Sequence, residues 1–372
     1  YMASSFLAIS SYMSAAPLNP SYKSEEYEFY LKDLNPKIVL VEKNSENPVV
    51  DVAKKLKIEL CEINPEKDGP SGIFNIYEKE SEYSLPNESD EALVLHTSGT
   101  TSRPKIVPLT NKNIFSSAEN ISKSLNLSEN DHCLNIMPLF HIHGLIAILA
   151  SSMKAGASVC ASNGFNAIKF LDIAKSEKIT WYSGVPTMHQ TILLRAHKNL
   201  EIAKRLELRL IRSSSASLPP AVFNDLNDVF SCPVIEAYGM TEATHQMTSN
   251  PLPPKQQKAG FVGLPAGPEV CIMNENGEVL KQGDEGEVCI KGENVTLGYD
   301  NNEEANKTSF TNGWFRTGDQ GYFDNEGYLK ISGRLKEIIN KGGEKISPLE
   351  VDNVLMDHPF IDQAVCFGYD DK

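Results

Sequence analysis

Apolar positions along the first 80 residues switch between helical and strand spacing. Met2-Ala3-Ser4-Ser5-Phe6-Leu7-Ala8-Ile9 reads as the middle of a helix with no start signal before it. Ser24 is a plausible N-cap for a helix on which Tyr27, Tyr30, Leu31 and Leu34 share a face, and Ile38-Val39-Leu40-Val41 predicts a buried parallel strand. A polar connection over 65–90 leads to a strand at Ala92-Leu93-Val94-Leu95. From there to about residue 250 helix and strand patterns alternate, with strands expected over 179–183 and 208–212, which implies a sheet with helices on its faces. After Pro251-Leu252-Pro253-Pro254 the turns Asn274-Glu275-Asn276-Gly277, Gly283-Asp284-Glu285-Gly286 and Asp324-Asn325-Glu326-Gly327 punctuate short strands, the mark of a β-rich subdomain over about 255–333. Ser347-Pro348-Leu349-Glu350 is a capping box with proline at the first helical position, followed by Val351, Val354 and Leu355 on one face.

Composition narrows the function classes. Apolar residues make up 41% and charged residues 23% of the 372, as in an ordinary globular chain rather than a disordered tail or a coiled coil. A formal charge of −14 is the wrong sign for general binding along a nucleic-acid backbone, so any phosphate must be held in a local pocket. The seven cysteines include no Cys-x-x-Cys pair, which argues against a zinc site or a disulfide framework and for a reducing compartment. The opening segment is too short and too polar to span a bilayer. With no start signal before Met2 and an apolar run close to Lys372, a fragment cut at both ends is expected.

Three stretches can carry chemistry. In Leu95-His96-Thr97-Ser98-Gly99-Thr100-Thr101-Ser102-Arg103-Pro104-Lys105 a strand runs into a loop of hydroxyl residues flanked by cations, a composition suited to oligophosphate oxygens. It is not a Walker A loop, because Pro104 and Ile106 stand where that motif needs glycine and Ser or Thr, and it could equally be a polar surface turn. In Glu236-Ala237-Tyr238-Gly239-Met240-Thr241-Glu242-Ala243-Thr244-His245 a glycine beside an aromatic face would let a planar base stack, with Thr241 and Glu242 available to a phosphate oxygen and a hard Mg²⁺ ion; a strand-to-helix connection with a core tyrosine is the other reading. In Gly313-Trp314-Phe315-Arg316-Thr317-Gly318-Asp319 the carboxylate suits a pair of ribose hydroxyls and Arg334 further on suits phosphate or sugar oxygens, or the two form an exposed ion pair at a hairpin.

In this order and at this spacing the three stretches resemble the adenylate-forming superfamily of acyl-CoA ligases, adenylation domains and luciferases, from about Met13-Ser14-Ala15-Ala16-Pro17-Leu18-Asn19-Pro20 onward. The resemblance implies an α/β fold. A large domain over 1–334, with two sheet-and-helix subdomains and the β-rich one, is followed over 335–372 by the start of a small mobile α+β domain. It implies that Thr97, Ser98, Gly99, Thr100, Thr101 and Lys105 contact the β- and γ-phosphates of ATP. Ser102 and Ile106 replace the family's usual glycines, the second change making the loop stiffer. It implies further that Tyr238, with Gly239 and Glu236 in the same cofactor segment, stacks on adenine beside Ser214-Ser215-Ala216. By the same matching Thr241 binds the α-phosphate, Glu242 ligates Mg²⁺, Asp319 holds the ribose with Arg334 assisting, and Lys336 is the hinge of the small domain. The family's catalytic lysine is expected beyond Lys372, which would leave the fragment weakly active or inactive.

The acid is read from the pocket. Pro138-Leu139-Phe140-His141-Ile142-His143-Gly144-Leu145 resembles the family segment lining the acyl site, with His141 toward the channel for the thiol of coenzyme A; the two histidines could also be satisfied side chains at a helix start. Ser213, Ser214, Ser215 and His245 complete a polar set that favours a small, dianionic acid over a fatty or aryl one. The stretches 95–104, 241–254 and 333–351 resemble the oxalate–CoA ligase branch shared by plants and fungi. The expected reaction is oxalate, ATP and CoA giving oxalyl-CoA, AMP and diphosphate, with a medium-chain or aryl acyl-CoA synthetase, an amino-acid adenylation domain and a non-catalytic nucleotide-binding module as rivals. Partners are then small molecules, with no nucleic acid. The expected location is cytoplasmic, with the peroxisome as the alternative, and the oligomeric state is not readable.

Overall fold

Short apolar runs spaced by amphipathic helices assemble into a sheet buried on both faces. The computed structural model describes the chain except for residues 67, 68, 70, 71, 77–83, 98–102, 342, 343, 357, 359, 362, 363 and 370–372. Among the described residues the largest sheet has seven strands in the order Leu264–Pro265, His245–Ser249, Val234–Met240, Leu210–Ser213, Trp181–Gly184, His132–Asn135 and Ser158–Ala161. From Val234–Met240 to Ser158–Ala161 neighbours run parallel, and the first two strands add antiparallel at one edge. Successive residues serve opposite faces. Cys133, Trp181, Leu210 and Ile235 enter one core with the helix Asn111–Ser124 and the π-helical segment His143–Ala150. Leu134, Tyr182, Ile211 and Val234 enter the other, which also takes up the helices Phe170–Ser176, Pro186–Ala196 and Pro220–Phe230.

The strands expected over 179–183 and 208–212 each begin two residues later. Thr180 and Arg209 are tied to Asp131 instead, the Thr180 hydroxyl at 3.1 Å and Arg209 Nε at 3.0 Å from Asp131 Oδ1. Ile38–Glu42 does pair parallel with Glu59–Pro65, but it is half-exposed, with Ile38 at 48%. Its sheet has three strands among the described residues, and only Val39 and Val41 face the small core of Tyr27, Leu31, Val49 and Val52. The third strand, Phe74–Ile76, lies within the stretch expected to be a connection and pairs antiparallel with Ile63 to Pro65. Ser24 is the first residue of its helix rather than the cap; Lys23 is the N-cap, and its N–H donates to the Glu26 carboxylate at 2.9 Å.

The β-rich region forms as an antiparallel sheet of Glu269–Met273, Gly286–Lys291, Trp314–Phe323, Phe310–Thr311 and Leu329–Arg334. Its turns use side-chain acceptors: Asn274 Oδ1 takes the Glu278 N–H at 3.0 Å and Asp324 Oδ1 takes the Tyr328 N–H at 2.9 Å. Further on, Ser347 Oγ accepts from the Glu350 N–H at 3.2 Å at the start of the helix Pro348–Met356. The apolar face expected of that helix is unpacked, with Val354 67% and Leu355 42% exposed. All seven cysteines are free thiols, and among the described residues no helix is long and apolar enough to cross a membrane.

Candidate active site

The hydroxyl-rich loop springs from the hairpin of Glu91–His96 and Ile106–Thr110. Ser98, Gly99, Thr100 and Thr101 lie outside the described residues, but the base of the loop is closed. The Thr97 N–H donates to the Lys105 carbonyl at 2.9 Å, and the Lys105 N–H returns to Thr97 Oγ1 at 3.1 Å. Ile106, buried, is the first residue of its strand, which is where a β-branched side chain fits. Asp33 braces the hairpin from outside, bonded to His96 Nε2 at 2.9 Å and to the Arg103 guanidinium.

Lys105 leads to the second stretch. Its ammonium sits 4.3 Å from the centre of the Tyr299 ring, and the Tyr299 hydroxyl donates to Glu242 Oε1 at 2.7 Å. Glu242 is buried, which raises its pKa, while Tyr299 and Lys105 favour the charged form. It stands on the tight turn Thr241–Ala243 between the strands Val234–Met240 and His245–Ser249, with Thr241 half-buried beside it. That turn needs glycine at 239, where a Cβ would lie 1.8 Å from the His245 carbonyl oxygen. It also holds His245 at φ 96, a strained backbone for a residue with a side chain.

The third stretch closes on the same hairpin. Tyr238 donates its hydroxyl to Asp319, and Arg334, directly opposite Asp319 in the sheet, reaches that carboxylate at 3.7 Å. Burial raises the Asp319 pKa, and its charge is close enough to raise that of Glu242. Described members of all three stretches therefore meet: Thr97 and Lys105 from the first, Tyr238, Thr241 and Glu242 from the second, Asp319 and Arg334 from the third. Lys336 is exposed on the short turn Leu335–Glu337 that follows Arg334. Glu236 is buried; its carboxylate accepts the Leu218 N–H at 3.0 Å, and burial pushes its pKa up to about 8.

On the other side of the hairpin lies a buried polar cluster. His143 starts the π-helical segment, a backbone form found often at functional sites, and Gly144 lets it approach Pro138, since a Cβ there would meet the Pro138 carbonyl oxygen at 2.3 Å. His143 Nδ1 is 3.0 Å from Ser215 Oγ, its Nε2 is 2.6 Å from Ser183 Oγ, and its ring lies 4.9 Å from that of His245. Burial drives both histidines well below their ordinary pKa, and Arg212 adds to it, so both are neutral at pH 7. His141 is also lowered by burial; its Nδ1 accepts the His143 N–H at 3.2 Å, which puts its proton on Nε2. Of the expected serines 213, 214 and 215, Ser215 is the one that reaches His143: the Ser214 hydroxyl donates to the Ala237 carbonyl at 2.7 Å, and Ser213 shares a face with Glu236. Ala216 is exposed on the same turn, where Ser215 takes φ 72.

Sequence reasoning missed Tyr299, Asp33, Ser183 and Arg212. The first three leave no local signal. Arg212 does: it sits in the apolar run Leu208-Arg209-Leu210-Ile211-Arg212 of a buried strand.

Comparison with known proteins bears on the family and the fold. The model of the AMP-binding enzyme family matches residues 2–300. The chain is 49% identical to an oxalate–CoA ligase of Arabidopsis thaliana, over 96% of this chain and 71% of that one. It is 44% identical to an oxalate–CoA ligase of Saccharomyces cerevisiae, over 96% and 70%. The fold superposes on the O-succinylbenzoate coenzyme A synthetase of Bacillus subtilis, solved with ATP and magnesium ion, with a TM-score of 0.79 at 30% identity over 97% of this chain and 72% of that one.

Proposed function

The chain belongs to the AMP-binding enzyme family, and we propose that its site joins oxalate to coenzyme A with ATP, by way of an acyl-adenylate. It is an acid–thiol ligase of the AMP-forming kind. The observation that carries the reading is one hairpin, Val234–Met240 with His245–Ser249, that sets Tyr238 against Asp319, connects Glu242 through Tyr299 to Lys105, and turns His245 to the buried polar cluster. An ATP and a small acid bound on its two sides would be neighbours.

The chemistry follows from charge. A carboxylate oxygen of oxalate attacks the α-phosphorus, the bond from that phosphorus to the bridging oxygen breaks, and diphosphate leaves. Anion then meets anion, so fixed positive charge and donors must stabilise the transition state. Lys105, Thr97 and the loop residues Ser98, Gly99, Thr100 and Thr101 take the outer phosphates, and Thr241 the α-phosphate. The Tyr238 ring lies along adenine beside Ser215 and Ala216, and Asp319 with Arg334 takes the ribose hydroxyls. The thiol of coenzyme A, entering past His141, attacks the acyl carbon; the bond to the phosphate oxygen breaks and AMP leaves. The domain boundary at 334/335 and a hinge at Lys336 belong to the same proposal.

The residues fit Mg²⁺ held jointly with the nucleotide. Among the described residues no group of three His, Cys, Asp or Glu is placed to hold a metal alone. Glu242 is a single buried carboxylate beside Thr241, the number of protein ligands that Mg²⁺ takes when phosphates supply the rest. When bound, the ion neutralises phosphate charge. The seven free thiols suit the reducing compartment, cytoplasm or peroxisome, that we assign to the protein.

AMP release measured with oxalate, hexanoate and coumarate, with and without CoA, tests the reading. We expect kcat/KM for oxalate to exceed the others by about 100-fold or more. A higher value for hexanoate or coumarate would overturn the substrate and leave the reaction class standing.

A further inference from the structure

Among the described residues Arg212 is a fully buried cation with no carboxylate to pair with. Its partners there are neutral: Nη1 donates to Ser183 Oγ at 3.5 Å, Nη2 to Gln246 Oε1 at 3.2 Å, and Nη2 lies 3.4 Å from His245 Nδ1. The buried carboxylate of the adjacent strand does not offset it. The register sets Ile235 opposite Arg212 and Glu236 opposite Ser213, so Glu236 serves the other face of the sheet. A buried charge without a counter-charge is rarely retained for stability alone.

The hydrogen bonds say which kind of group this arrangement suits. A guanidinium only donates, so His245 accepts at Nδ1 and carries its proton on Nε2. Among the described residues neither His245 Nε2 nor Arg212 Nε has a partner, although both are buried. Two buried donors without acceptors, beside an unpaired cation, make an environment for an anion. His143, held between the Ser183 and Ser215 hydroxyls, lies against the same His245 ring and connects the cluster to the turn 214–216.

We propose that Arg212 makes the acyl pocket select acids with a second carboxylate, which accepts the His245 Nε2–H and is balanced by the guanidinium behind that ring. The inference rests on the oxalate reading and deepens it. Arg212 acts through His245 and Ser183, as a specificity and positioning residue, while the reacting carboxylate is the one turned to ATP.

Oxamate, in which an amide replaces one carboxylate of oxalate at nearly the same shape, isolates the second charge. On the full chain we expect kcat/KM for oxalate to exceed that for oxamate by about 100-fold. Arg212→Met should erase most of that ratio through KM for oxalate, leaving KM for ATP within about threefold, and Arg212→Lys should restore much of it. An Arg212→Met enzyme that keeps the wild-type ratio would overturn the inference. Should that variant fail to fold, thermal shifts of the wild-type protein decide: oxalate should stabilise it at concentrations where oxamate does not, and equal stabilisation would overturn the proposal. A wild-type enzyme that prefers hexanoate over both acids would instead overturn the oxalate reading itself.

Discussion

The two sides of the central hairpin treat charge in opposite ways. On the nucleotide side every charged group described has a protein partner: Glu242 takes the Tyr299 hydroxyl, Lys105 lies over the Tyr299 ring, and Asp319 is held by Tyr238 and approached by Arg334. On the acyl side Arg212 is surrounded by neutral hydroxyl, amide and imidazole groups, and among the described residues two buried N–H donors are unused. The difference matches what each side must bind. A nucleotide brings its own counter-ion and can replace protein contacts one by one, so its residues can be satisfied beforehand. A small dianion has only its oxygens to offer, so donors kept ready for it contribute specificity at a cost in stability.

The nucleotide side can be broken at one atom pair. Glu242→Gln keeps the shape and the Tyr299 contact but removes the charge. AMP formation should fall by about 1000-fold while KM for oxalate stays within a few-fold. The melting temperature should hold or rise, because a buried carboxylate is removed. A comparable rise in oxalate KM would mean that the two sides are not separate. Tyr299→Phe is the gentler cut: it deletes the hydroxyl that aims Glu242 and leaves the ring under Lys105. About a tenfold loss in kcat/KM for ATP is expected, the value of one hydrogen bond to a charged group. No change would show that Glu242 is positioned by its backbone turn alone.

Legibility in the sequence followed the same division. The nucleotide side could be read because its groups come in contiguous stretches whose order and spacing resemble a known family. The strands that carry them, 91–96 and 234–240, are apolar runs ending in turn residues. Tyr299 and Asp33 could not be read, since each reaches the site from a segment whose local pattern says nothing of it: Tyr299 through a bridge between Ile106 and Asp300, Asp33 from the end of an amphipathic helix. The acyl side was half legible. Its histidines and serines stood out as polar residues in an apolar context, but which serine faces them depends on strand register, which periodicity does not supply. Arg212 was passed over as one charge in a strand, although an arginine there must be either exposed or compensated.

Glu236 supplies the control for that last point, because it and Arg212 are buried charges on opposite faces of neighbouring strands. Arginine cannot shed its charge at neutral pH, even with burial lowering its pKa to about 9. Glu236 can, since burial raises its pKa from 4.5 to about 8. Between those two values the folded protein binds a proton that the unfolded chain has released. Stability from this group is therefore complete below the unfolded value and is lost as the pH rises through about 8. Glu236→Gln, which stays neutral and can still accept the Leu218 N–H, should flatten the fall in melting temperature toward alkaline pH. Relative to acid pH the gain should build up between about pH 4.5 and 8 and approach about 5 kcal/mol by about pH 9, with kcat/KM for oxalate at neutral pH little changed. Equal slopes for the two proteins would mean that Glu236 is ionised throughout and has a cationic partner after all. The contrast with Arg212, a buried charge kept for an anion rather than neutralised, would then lose its reference.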